Sequence, residues 1–207
     1  MARRVLHDEF FRKAKAEGYL ARSAYKLQEI NERKRLFGIG DRVLDLGCAP
    51  GAWLQIASKA VGPRGLVVGI DLKDVREQIA PNVTKIVGDI YKTSPAALTG
   101  PAGGLFDAVV SDMAPDTSGH GDHFLSVRLC RRVLELLPSL LKPGGNLVMK
   151  VFEGEEYSDL LRETASRFEL VKGFKPKASR DVSPEMYIVA HGYRPVPASR
   201  QSTLGSA

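Results

Sequence analysis

Apolar residues along this chain come in short continuous runs separated by longer amphipathic stretches. The runs cover Arg42–Leu46, Leu66–Asp71, Val83–Val87, 106–112 and 146–152, with two more near 170–174 and 186–190. Short apolar runs bounded by Gly, Pro and Asp predict strands covered on both faces. Between them, apolar positions recur every three or four residues and predict helices over about 22–30, 52–60, 124–141 and 158–167. Lys142-Pro143-Gly144-Gly145 is expected to close the longest helix. Strands alternating with helices predict an α/β fold of Rossmann-like type. The expected sheet is seven-stranded and mostly parallel, with helices on both faces. No internal repeat and no second domain is visible.

The pattern stops at both ends. Residues 1–20 mix Arg3, Arg4, Phe10, Phe11, Arg12, Lys13, Lys15 and Tyr19, and read as a basic arm, either flexible or a short helix lying over the domain. Residues 21–194 form the expected α/β domain. Residues 195–207, rich in Pro, Ser and small residues, read as a disordered tail.

Composition narrows the class. No apolar run approaches the ~20 residues needed to cross a bilayer. The N-terminus lacks the apolar core of a secretory signal, and Asp8, Glu9 and Glu17 argue against a transit peptide. Cys48 and Cys130 make neither a disulfide framework nor a zinc set, which fits a reducing, cytoplasmic setting. No metal site is expected, and nothing suggests more than a monomer. The net charge of +6 is unevenly spread: residues 1–35 carry ten Lys/Arg against five Asp/Glu, and residues 172–207 carry six against two. The middle is slightly acidic. Two basic ends suggest a polyanion, most simply nucleic acid; a solvated basic face without a partner is the alternative.

Candidate chemistry starts at Val43-Leu44-Asp45-Leu46-Gly47-Cys48-Ala49-Pro50-Gly51-Ala52-Trp53, a strand that breaks into a glycine loop and restarts as a helix. Gly47 and Gly51 let backbone approach a ligand closely. Pro50 suits the entry to a helix. Asp71 ends the next strand, where an acid commonly meets ribose hydroxyls. The glycines are spaced G-x-x-x-G rather than G-x-G-x-x-G, which disfavours a nicotinamide dinucleotide. Asp45 would repel a pyrophosphate but suits a ligand carrying an amino group and a sulfonium, namely S-adenosylmethionine. A tight turn with no ligand is the competing reading.

Ligands of parallel sheets bind at the carboxyl ends of the strands. Asp45, Asp71, Asp89, Asp112 and Lys150 all fall at or near such ends. Lys150 interrupts the apolar run Leu147-Val148-Met149-Lys150-Val151-Phe152. Lysine is rarely buried without a partner, so it reads as a cleft lysine; snorkelling from the strand end is the alternative. No aromatic follows Asp112-Met113-Ala114-Pro115, which argues against a stacked planar amine as acceptor. Neither cysteine is placed for covalent attack on a pyrimidine. A hydroxyl acceptor remains. His120 and His123, in the polar loop that follows, could touch a substrate or simply face solvent.

Five segments together resemble the FtsJ/RrmJ family of S-adenosylmethionine-dependent RNA ribose 2′-O-methyltransferases. They are Arg22-Ser23-Ala24-Tyr25-Lys26-Leu27, Asp45 through Trp53, Ser111-Asp112-Met113-Ala114-Pro115, Met149-Lys150-Val151-Phe152 and Ser183-Pro184-Glu185-Met186-Tyr187. They run in family order over roughly residues 5–192. The departures are mild: Cys48 and Ala52 stand where Ala or Gly is common. The resemblance implies a Lys26, Asp112, Lys150 and Glu185 tetrad with Lys150 as proton acceptor. It implies a cofactor-facing set of Asp45, Gly47, Pro50, Gly51, Trp53, Asp71, Leu72, Asp89 and Asp112. Lys26 beside Lys150 would disfavour its charge, whereas Asp112 and Glu185 would favour it. Within the family, size and compactness look most like the bacterial large-subunit enzymes, and that resemblance implies a uridine ribose in large-subunit (23S) ribosomal RNA, within the assembled 50S subunit, as the target. Rivals are a transfer-RNA or cap ribose methyltransferase and a non-catalytic ribosome-assembly factor. Arg3, Arg4, Arg12, Lys13, Lys15, Lys172, Lys175, Lys177 and Arg180 are expected to meet RNA phosphates.

Overall fold

The computed structural model describes residues 2–115, 122–179 and 183–195, with side chains from Glu9 onward. The elements run α1 (Ala2–Ala16), α2 (Ala24–Lys34), β1 (Arg42–Leu46), α3 (Ala52–Val61), β2 (Leu66–Asp71), β3 (Val83–Val87), α4 (Pro95–Ala102), β4 (Phe106–Ser111), α5 (Asp122–Leu140), β5 (Leu141–Phe152), α6 (Tyr157–Ala165), β6 (Phe168–Phe174) and β7 (Glu185–Tyr193). The seven strands form one sheet in the order β3-β2-β1-β4-β5-β7-β6. Pairs among β1 to β5 are parallel, and β7 pairs antiparallel with both β5 and β6. The sheet is therefore mixed but mostly parallel, as the apolar pattern predicts.

Side-chain alternation divides the sheet into two cores. Leu44, Leu46, Val68, Ile70, Val109, Leu147, Met149 and Val151 pack with residues of α4, α5 and α6. Val43, Val67, Ala108, Val110, Val148, Tyr187 and Val189 pack with α2 and α3. Asp45, Lys150 and Glu185 have the parity of the second set. The α2/α3 face thus carries polar groups where its strands reach the carboxyl edge. Strand order reverses between β1 and β4, and such a switch opens a crevice at that edge.

Two local readings are corrected, and one with two alternatives resolves to the helix. α4 has no place in the hydrophobic pattern, because Pro95-Ala96-Ala97-Leu98-Thr99-Gly100-Pro101-Ala102 has almost no amphipathic period. It is held by its ends: Ser94 accepts a hydrogen bond from the Ala97 N–H, Pro95 opens the first turn, and Gly103 (φ +64°) closes it. Residues 141–145 belong to β5 rather than to a free helix-closing turn, because Leu141 already pairs with Phe106; an irregularity in register between Phe106 and Ala108 absorbs the turn at Gly144. The basic arm is mostly helical as α1, and Ala14 and Phe10 seat it against Tyr25 and Ala178. The tail beyond 195, His120 and Arg180 lie outside the described residues.

Candidate active site

β1 ends in the glycine loop because Gly47 adopts φ +80° and Gly51 φ +111°, a region that favours glycine. The Gly47 and Cys48 N–H groups donate to the Ile70 carbonyl at 2.8 and 3.2 Å, which ties the loop to the end of β2. A Cβ on Gly47 would lie 2.4 Å from Met113 Cγ, so the loops after β1 and β4 touch there. Asp71 closes the arrangement: its Oδ2 accepts from the Ala49 N–H at 2.9 Å and its Oδ1 from the Lys73 N–H at 2.8 Å. Asp89 is organised likewise, with Oδ1 accepting from the Tyr91 N–H at 2.9 Å.

A cleft of about 440 Å³ opens along this edge, lined among others by Gly47, Ala49, Asp71, Leu72, Asp89 and Asp112. Asp45, Pro50, Gly51 and Trp53 do not line it. Trp53 is 2% exposed and lies beneath the loop, its indole N–H donating to the Ser23 carbonyl at 2.9 Å. Gly51 packs against Leu20, Val75 and Ile79. These residues shape the loop from behind. A wider hollow of about 830 Å³ lies at the opposite ends of the strands, beside Arg42, Lys59 and Arg64, and contains none of the expected residues.

Asp45 is fully buried, and neither carboxylate oxygen has a hydrogen-bond partner among the described residues. Burial, with the nearby charges of Asp112 and Asp71, pushes its pKa well above the ordinary carboxylate range. An unpaired buried carboxylate is costly. What this position lacks is a cation or a hydrogen-bond donor. Its neighbour Cys48 is inert, since burial and Asp45 push the thiol up.

The expected tetrad forms two contacts. Lys150, 8% exposed, donates to the Asp112 carbonyl at 2.5 Å and stands 3.2 Å from Asp112 Oδ1. Lys26, 5% exposed, reaches from α2 to Glu185 Oε2 at 2.9 Å. Burial would raise the pKa of Glu185, but Lys26, then Lys150 and the Ser183 hydroxyl, outweigh it and lower it. Tyr187 joins the two pairs. It faces Lys150 across the β5–β7 register, its hydroxyl donates to Asp112 Oδ1 at 2.7 Å, and its ring lies 5.9 Å from Lys26 Nζ and 6.0 Å from Trp53. Burial, then Asp112 and Glu185, hold its phenol protonated. Tyr187 is not among the site residues expected from the sequence. The signal was present in Glu185-Met186-Tyr187, whose period of two puts Tyr187 on the face of Glu185.

One side chain supports Lys150 from behind: the Cys130 thiol donates to the Lys150 carbonyl at 3.1 Å. Burial pushes that thiol up to about 12, so it stays neutral. Among the described residues, no group of three His, Cys, Asp or Glu is arranged to hold a metal. No described helix is long and apolar enough to cross a membrane. Exposed Lys13, Lys15, Lys175 and Lys177 line the surface of α1 and of the loop after β6, and Lys34 lies over the Phe174 ring at 5.0 Å.

The family model described as FtsJ-like methyltransferase matches residues 19–193. The chain is 47% identical over 187 residues to the ribosomal RNA large subunit methyltransferase E of Syntrophobacter fumaroxidans, covering 89% of this chain and 95% of that one. It is 45% identical over 196 residues to the protein of the same name from Nitratidesulfovibrio vulgaris, covering 92% and 96%. Among solved structures it resembles a ribosomal RNA methyltransferase from Plasmodium falciparum, with a TM-score of 0.73, 27% identity, and coverage of 84% and 98%. The match to the family model spans the glycine loop, the Lys150–Asp112 contact and the Lys26–Glu185 pair alike: this chain belongs to the FtsJ-like methyltransferase family.

Proposed function

We propose that this methyltransferase transfers a methyl group from S-adenosylmethionine to a ribose 2′-OH, that of a uridine, in the RNA of the large ribosomal subunit. The names of its relatives point to the substrate. The single observation that carries the reaction is the buried Lys150 held at the Asp112 carboxylate, beside a cleft at the sheet's switch point.

The residues suit the cofactor. Asp45 is a buried carboxyl group with no hydrogen-bond partner among the described residues, and a positive amino group nearby is the chemistry it lacks. Asp71 and Asp89, each ordered by backbone N–H groups, suit ribose hydroxyls and an adenine edge. Gly47, Leu72 and Asp112 would complete the wall, with Pro50, Gly51 and Trp53 holding the loop from behind. Bound there, S-adenosylmethionine supplies an electrophilic methyl group on a sulfonium.

The chain supplies orientation and a proton acceptor. An in-line displacement needs the 2′-oxygen held in line with the methyl carbon, and orientation of this kind is worth several kcal/mol. Lys150 Nζ, already ordered by Asp112, accepts or shares the hydroxyl proton. Tyr187 and Lys26 hold Asp112 and Glu185 in place around it. Proton transfer by a positioned group contributes roughly 10²–10⁴-fold. The basic segment 1–20 and the loop after β6 would bind RNA phosphates, affording affinity with little sequence choice. Such a substrate and two buried thiols fit a cytoplasmic monomer.

The test is transfer of labelled methyl to free ribosomal RNA, large subunits and transfer RNA. Label should enter large subunits at a ribose that then resists alkaline cleavage. Lys150→Ala should lower the rate at least about 100-fold while the cofactor still binds. Label in transfer RNA alone would redirect the substrate; a fully active Lys150→Ala protein would remove the proton acceptor.

A further inference from the structure

The first turn of α5 carries His123 and Phe124, which no part of the proposed reaction uses. Their rings lie 4.0 Å apart at 40°. Phe124 is 40% exposed, a large apolar side chain left at the surface. The pair is not a remote patch. Ser126 donates to the His123 carbonyl at 2.8 Å and accepts from the Phe152 N–H at 3.0 Å. This clips the first turn of α5 to β5 two residues beyond Lys150. Gly154 then seats the imidazole: a Cβ there would lie 2.7 Å from His123 Cδ2, so the bare backbone packs against that ring. His123 is thereby held on one side, and Phe124 is left facing outward.

Charge says what this surface would meet. Arg128 lies one helical turn after Phe124 on the same face, is exposed, and forms no ion pair among the described residues. An outward aromatic ring beside an unengaged guanidinium suits a nucleotide, with the base stacked on the ring and the phosphate at the arginine.

We propose that Phe124, braced by His123, is a stacking platform for the RNA base neighbouring the methylated ribose, and that Arg128 contacts the phosphate of the same nucleotide. This rests on the RNA ribose methyltransferase reading. In that setting the platform is a positioning device: it splays one base out of its stack and so fixes the ribose against Lys150.

The test uses the full-length protein with large subunits and with a short labelled single-stranded RNA. Direct RNA binding, KM for subunits, KM for cofactor and kcat are measured for wild type, Phe124→Ala, Phe124→Trp and Arg128→Ala. Phe124→Ala should weaken RNA binding and raise the KM for subunits about tenfold, within the range for loss of one stacked base. The KM for cofactor and the thermal midpoint should stay unchanged, because the ring is half out of the fold. Phe124→Trp should restore binding, and its indole emission should be quenched by RNA. Arg128→Ala should weaken binding and lower its salt dependence. An active Phe124→Ala protein with unaltered RNA binding, or one that Phe124→Trp does not rescue, overturns the platform and leaves the parent reading intact. Wild type that binds and methylates no RNA overturns both.

Discussion

Asp45 carries the sharpest consequence at the scale of single residues. A carboxylate that the fold buries without a partner favours folding only when protonated. Its contribution is complete below the unfolded value near 3.8 and is lost as pH rises through its raised folded value. Glu185 has the opposite sign: with its pKa lowered, its contribution is present above about 4.5 and lost as pH falls. Denaturant midpoints of the ligand-free protein between pH 4 and 8 should therefore show Asp45→Asn gaining on wild type as pH rises. Parallel curves would mean that Asp45 ionises in the fold at no cost. The residue best suited to hold a cation is thus one that destabilises the empty protein. Its oddity is visible in the sequence, as an acid inside an apolar strand. Its lack of a partner is not, because that depends on what β2 and β4 place around it. Gly69, directly across the register, offers no side chain at all.

At the scale of elements, the glycine loop depends on two separable properties of Gly47. Its φ of +80° taxes any other residue, and its Cβ position is filled by Met113. Gly144 has nearly the same φ, +79°, with open space around it. Gly144→Ala should thus cost only the left-handed backbone, about 1–2 kcal/mol. Gly47→Ala should cost more in thermal unfolding and should weaken cofactor binding as well, because Met113 and the loop after β4 must move. Equal losses would show that the contact relaxes freely. The strands of this molecule were legible because apolar runs bounded by Gly, Pro and Asp report burial on both faces. β1, β2 and β3 have the bounds that the pattern predicts. α4 was illegible to the same reasoning, since its stability comes from Ser94, Pro95 and Gly103 at its ends rather than from an apolar stripe. Capping signals at Ser94-Pro95 would have revealed it.

Across the whole molecule, the acidic middle and basic ends become a surface. α1 is seated by Phe10 and Ala14 on Tyr25, whose hydroxyl donates to Glu17 at 2.9 Å, and Lys13 lies 4.9 Å from the Tyr25 ring. The basic helix is therefore fixed to α2, the element that carries Lys26. If it contacts phosphates, RNA binding should weaken steeply with salt. Replacing Lys13 and Lys15 by Gln should reduce the log–log salt slope by about 1.4 for single-stranded RNA. An unchanged slope would remove α1 from the interface. The uneven charge was readable from residue counts. Which cations share a face was not, because the loop carrying Lys175 and Lys177 meets α2 only through long-range contacts such as the Lys177 N–H with Glu29, 2.7 Å.

β7 runs against its neighbours, so its first residues, not its last, reach the carboxyl edge of the sheet. Glu185 and Tyr187 arrive there from the far end of the chain, and the Lys26–Glu185 contact spans 159 positions. During synthesis the glycine loop and Lys150 emerge long before the pieces that complete their surroundings. A ribosome must synthesise the chain through β7 before Lys26 can meet Glu185. A fragment that stops ahead of β7 keeps the glycine loop and Lys150 but lacks both Glu185 and the Tyr187 hydroxyl that binds Asp112.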